Sequence, residues 1–429
     1  MRVLLLALIF VSPAVQEKKT SDGDKKAAQQ KYDVGITMLT KGNTEGGIKT
    51  LEEAVKLDPG HVKAHEALAR TYFAQDNRKA AMEHIWDLSI LGVALTPEMR
   101  KILNGTQSVV LAGTRWLLRH QAADGRWSSD GFGSTCRGGG MCDGKGEVGR
   151  DVRSTSLALL ALMGAGFAPP SRETFDQKHV GTASKNALMW LTKQQKPDGG
   201  IGDPAATSSL EDHALAALAL SEVFGLTALE ALKEPAQRSV DYLLAHRIPE
   251  KGWGANPKAT EPDLTATGWA LFAVRSAWLA QMKVPSEKLN GEFKTIHETT
   301  PFGPALVAVG DNPAFRKDLP AILQKIASEE VPEDAKARDA LKILLSEVIL
   351  HRGDPDGPWK AWKDSARTRL IKSQRYDGNG DTCIAGSWDP AGTAEAGRGR
   401  VATTCFTLLA LEMEYGMKYH FCAAPTSEK

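Results

Sequence analysis

The chain has 429 residues, of which 42% are hydrophobic and 24% charged, and its net charge is +1. That is enough apolar material for one large core with a small appended unit. Basic and acidic residues nearly cancel, and no basic stripe is interleaved with aromatics, which argues against a nucleic-acid partner.

Met1–Val15 carries one basic residue, an apolar run over Val3–Val11, and small residues at Ser12 and Ala14, the pattern of a cleaved export signal. That run is too short to span a bilayer, and no later stretch is long and apolar enough to do so. The expectation is a secreted or periplasmic protein without a transmembrane segment. Export permits disulfides among Cys136, Cys142, Cys383, Cys405 and Cys422. Cys136 and Cys142 flank a flexible Arg-Gly-Gly-Gly-Met loop able to close a small ring. The cysteine count is odd, so one thiol stays free or pairs between chains.

Residues 16–27 are charged and aperiodic, as in a linker. Residues 28–95 repeat at about 34 residues: Gly42-Asn43 recurs as Asp76-Asn77, Leu39 as Phe73, Ile48 as Met82 and Leu51 as Ile85. With Gly35, Pro59, Leu68, Ala69, Tyr72 and Ala81 on small-residue and turn positions, the stretch resembles two tetratricopeptide repeats. The resemblance implies a peptide- or protein-binding surface, with a structural cap on the next domain as the other reading.

From 108 to 420 a longer unit recurs: an amphipathic segment, a Gly-rich turn, then a helix of small and apolar residues. The apolar members are Arg150–Gly166, Ser208–Gly225, Glu261–Ala277 and Gly399–Gly416. About six such pairs fit, the fourth (Ser286–His297 with Thr300–Val309) and fifth (Pro313–Ala327 with Glu333–Leu350) lacking the Gly-aromatic turn. Polar-faced helices outside and small-residue helices inside make an all-α (α/α)6 toroid, preceded by the two hairpins.

The turns Gln121–Trp127, Gln195–Gly200, Gly252–Gly254 and Gly386–Trp388, with the inner Thr267-Gly-Trp269, resemble the repeats of the terpenoid cyclase and protein prenyltransferase superfamily. Over 112–418 the chain is similar to secreted bacterial prenyltransferase and squalene-oxidase repeat proteins. Physically, the Gln can bond helix-end backbone and the Trp can stack across the turn, riveting adjacent pairs.

Inner-helix starts converge on one ring mouth, which gathers Asp151, Arg153, Glu211, Asp212, His213, Asp263, Thr265, Arg338, Asp339 and Arg400. Asp263 matches the central acid of the cyclase motif, which the resemblance makes the proton donor to an isoprenoid; Glu261 and Leu264 replace its flanking acids. The same residue suits an N-cap, and Ser208-x-x-Glu211 fits a capping box. Asp212 and His213 are secondary catalytic candidates, and His213 also reads as a satisfied cavity-wall histidine. Asp151, Arg153, Thr265, Trp269 and Arg400 are candidate ligand contacts.

The prenyltransferase zinc motif is absent, Asp263-Leu264-Thr265 standing where it needs a cysteine, and Cys405 has no His or acid nearby. No metal and no cofactor is therefore expected. Three functions fit. The favoured one is an exported binding or scaffold protein with a peptide, glycan or apolar ligand; the others are a cyclase-like enzyme acting through Asp263 and a glycan-cleaving enzyme with paired carboxylates.

Overall fold

The computed structural model describes residues 20–136, 142–206, 208–284, 319–354, 357–375, 383–390 and 392–413. The export signal, Cys422 and the fourth helix pair lie outside them.

Two helical hairpins come first: α1 (Asp22–Thr40) with α2 (Thr44–Leu57), and α3 (Val62–Ala74) with α4 (Arg78–Ile90). Asn43 and Asn77, the recurring pair, N-cap α2 and α4 by accepting from the backbone N–H three residues on. In the first hairpin Gly35 and Gly47 face each other so closely that a Cβ on either would press on Leu51 or Leu39.

Helix α5 (Pro97–Arg119) leads into the larger unit, kinked at Gln107 (φ −126°, ψ 33°). It packs on α3 and α4 on one side and on the toroid on the other. The outer helices are the end of α5, α7 (Val180–Lys193), α9 (Glu230–Ala245), α11 (Leu319–Ser328) and α13 (Pro358–Lys372). The inner ones are α6 (Asp151–Gly164), α8 (Ser209–Thr227), α10 (Leu264–Leu279), α12 (Ala340–Gly353) and α14 (Gly392–Glu412). Every residue of α6 from Val152 to Gly164 is buried, whereas α7 and α9 bury one face. A helix made of Ala, Leu, Ser and Thr on all sides can be sheathed by neighbours all round, and this is what assigns it to the inner wall.

Among the described inner helices α6 packs on α8, α8 on α10, and α14 on both α12 and α6. The last helix meeting the first closes an all-α toroid.

The turns show how the repeats are fastened. Gln121 Nε2 donates to Ala183 O on α7, Gln195 Nε2 to Pro235 O on α9, and Gln374 Nε2 to Val109 O on α5, each at 2.9 Å. The same amide also bonds its own turn at Gly125, Gly199 or Gly386. Those glycines have φ of +99°, +95° and +96°, and a Cβ on any of them would strike a backbone carbonyl of the next outer helix. The tryptophans add hydrogen bonds of their own: Trp127, Trp253 and Trp388 donate their indole N–H to Leu117, Leu243 and Leu370 O at 2.7, 2.6 and 2.8 Å. Their backbone N–H groups bond the hydroxyls of Thr155, Thr267 and Thr404 on the inner helices.

The hairpin unit is seated on the toroid. Trp86 Nε1 donates to Met163 O at 2.9 Å, its ring fills the space over Gly166, and Arg100 pairs with the buried Glu173 at 3.0 Å.

Candidate functional site

The ring mouth forms where the inner helices begin, but its acids are engaged one by one. Asp263 is the N-cap of α10, accepting from Ala266 N at 2.8 Å; it is half-buried, and Thr265 beside it likewise. Asp151 accepts from Ser129 N at 2.8 Å and pairs with Arg126 at 3.1 Å. The expected capping box at α8 does not form, since Ser208 makes no side-chain cap bond. Glu211 instead pairs with Arg150 at 2.7 Å, because a nearly buried guanidinium needs that carboxylate more than the helix end does.

Asp212 is the most perturbed of these acids. It is 5% exposed, and Arg150 Nη2 lies 2.9 Å from its Oδ1, out of line for a hydrogen bond. Burial outweighs Arg150 and pushes its carboxyl up to about 7. Arg153, also buried, is held below the usual guanidinium range by burial and the neighbouring Arg150, with Glu211 and Asp212 opposing. Arg150, the hub of this cluster, escaped the sequence reading; the only signal was its place just before the helix start.

His213 is a packing histidine. Its Nδ1 accepts from Ile201 N and its Nε2 donates to Ser239 O, both at 2.9 Å, which fixes one neutral tautomer. Arg400, expected to touch ligand, is 1% exposed and spent on structure: it bonds Asp143 O at 2.9 Å and Ser387 Oγ at 3.0 Å, and pairs with Asp389 at 2.7 Å. Arg338 donates to the carbonyls of Pro332 and Arg369, and Asp339 caps α12 while pairing with Arg398 at 2.9 Å.

Trp269 points inward. It stacks on Phe406 of α14 with centroids 6.1 Å apart and planes at 13°, and the Phe272 ring lies at 6.1 Å, tilted by 55°. Helices α10 and α14 do not pack on each other as ring neighbours among the described residues, so this pair reaches across from one inner helix to another.

Away from the mouth, a groove of about 970 Å³ runs between the two units. Its apolar lining includes Trp86 and Ile90 of α4, Phe224 and Leu226 of α8, and Leu279 and Met282 at the end of α10; Glu230, Lys233, Glu234 and Lys283 line it with charge.

His120, Cys136, Cys142 and Cys383 also converge, their ligand atoms all within 4.8 Å of one another. The sequence reading treated Cys136 and Cys142 as a possible closed ring, yet both are free thiols here. It missed the cluster because His120 and Cys383 are 263 residues apart.

The class of architecture is thus a closed all-α toroid with a docked helical unit. Neither a protein-family model nor a curated protein sequence matches the chain. Solved structures similar to it include a type II terpene cyclase from Scytonema, determined with its substrate geranylgeranyl dihydroxybenzoate. The two share 14% identity over 73% of this chain and 98% of that one, with a TM-score of 0.43. Among the described residues no helix is long and apolar enough to cross a membrane.

Proposed function

We propose that the protein is a binding protein, and that the groove between the hairpin unit and the toroid takes a peptide segment of a partner protein. The groove carries this reading: both units build it, it has an apolar floor with mixed charge around it, and the Trp86 and Arg100 contacts hold its walls in fixed relation. Such a surface suits an amphipathic segment that lays apolar anchors on the floor. The ring mouth supports it by contrast. Asp263, the acid a cyclase would use, is occupied as a cap, and Trp269 of α10 meets Phe406 of α14.

Panning a random peptide library against the purified chain tests this. Enriched peptides should bind wild type and lose about tenfold or more in affinity when Glu234→Trp fills the groove. Peptides indifferent to that change, or none enriched, would contradict it.

A second reading, cyclase-like acid catalysis on an isoprenoid, is favoured by one observation. Asp212 has a carboxyl pushed up to about 7, suited to proton donation, on a ring whose interior is aromatic. It requires an isoprenoid panel to be turned over by wild type and not by Asp212→Asn.

A further inference from the structure

His120 ends α5 in the first repeat. Its Nδ1 faces Trp116 O at 2.8 Å, and a carbonyl can only accept, so Nδ1 carries the proton and Nε2 presents its lone pair. Toward that lone pair come Cys136 Sγ at 3.4 Å, Cys142 Sγ at 3.4 Å and Cys383 Sγ at 3.3 Å. A thiol is a weak donor, and one lone pair accounts for one such contact rather than three. The spacing matches a coordination shell: tetrahedral Zn²⁺, with bonds of about 2.3 Å to sulfur and about 2.05 Å to nitrogen, sets the N···S edges at about 3.6 Å.

We infer that His120, Cys136, Cys142 and Cys383 form a Cys₃His zinc site that locks the last repeat of the toroid to the first. Binding Zn²⁺ releases the three thiol protons to solvent and leaves three thiolates and a neutral imidazole on the ion. Four protein ligands complete the shell with no open position, so the ion is structural rather than catalytic. The surroundings are those of such a site. His120 is fully buried, Cys142 and Cys383 nearly so, Trp116 stacks on the imidazole at 4.3 Å, and Phe132 closes the edge at 5.9 Å. The Nδ1–H to Trp116 O bond is the outer contact that aims a ligating histidine.

The placement explains the purpose. Cys136 and Cys142 belong to the segment between the first turn and α6, and Cys383 to the turn of the last repeat. Beside them Arg400 grips Asp143, Arg400 N donates to Gly144 O at 2.7 Å, and Glu147 N donates to Gly397 O at 3.0 Å. The ion sits on the seam where the toroid's two ends meet, the junction that chain connectivity alone does not hold.

The test uses the full chain purified without chelator. Elemental analysis should find about one zinc per chain, released by a mercurial thiol reagent. Replacing it with Co²⁺ should give sulfur-to-cobalt charge-transfer bands and tetrahedral ligand-field absorption. Chelation should lower the thermal midpoint of wild type and of Cys405→Ser, whose thiol lies outside the cluster, but not that of Cys383→Ser, which should hold under about a tenth of the metal. Co²⁺ spectra on wild type stand even where a variant fails to fold. Zinc far below one per chain after Zn²⁺ is supplied, Co²⁺ bound without the sulfur bands, or a disulfide between any two of the three cysteines in the native chain would overturn the assignment.

Discussion

Asp212 shows at the scale of one residue what burial does to an acid. Its carboxyl titrates near 7 in the folded chain against 3.8 ordinarily, so the folded state holds the proton more tightly than the unfolded state between those values. Stability contributed by this group is therefore present at low pH and falls as pH rises toward 7. Asp212→Asn should flatten the denaturation midpoint between about pH 4 and 7 relative to wild type; an equally steep loss in the variant would count against it. Asp263 belongs to the same scale: as the N-cap of α10 its replacement by Ala should cost about 1 kcal/mol by chemical denaturation. The cap was legible in the sequence because an Asp before an apolar helix is a local signal. The Arg150 pairing with Glu211 and Asp212 was not, because it joins residues about sixty positions apart.

At the scale of the element, the repeating turn does the fastening. Gly199 combines a φ of +95° with a backbone carbonyl of Arg238 where a Cβ would go, so Gly199→Ala should destabilise by about 2 kcal/mol or more. Gln195→Ala leaves Pro235 O without its donor and should cost about 1–2 kcal/mol. Equilibrium unfolding of both variants measures these, and the glycine change should be the larger. The Gln, Gly and Trp positions were visible as a recurrent turn, and the riveting role followed from that. The indole bond to the end of the preceding outer helix, ten residues back for Trp127 and Trp253 and eighteen for Trp388, was not, since stacking and hydrogen bonding leave the same Trp in the sequence. Helix starts differed where charge intervened: Ser208 precedes α8 as a cap should, but Glu211 is drawn to Arg150 and no box closes.

For the whole molecule, alternating polar-faced and small-residue helices made the toroid legible, because the inner wall admits only sequences that can be buried on all sides. How its ends join was not legible: Gln374 to Val109, Arg400 to Asp143 and the cluster around His120 each link the two ends of the unit. Nor could the groove be read, since it exists only once α4 is seated against α6 by Trp86.

The central claim, that ligand is taken between the two units and not at the ring mouth, is tested most directly by hydrogen exchange on the full chain with a library-selected peptide. Bound peptide should slow exchange in residues 86–90, 224–238 and 279–283, the segments that line the groove, and leave the starts of α6, α8 and α10 unchanged. Protection confined to residues 151–153, 211–213 and 263–265 would place the ligand at the ring mouth and contradict the account.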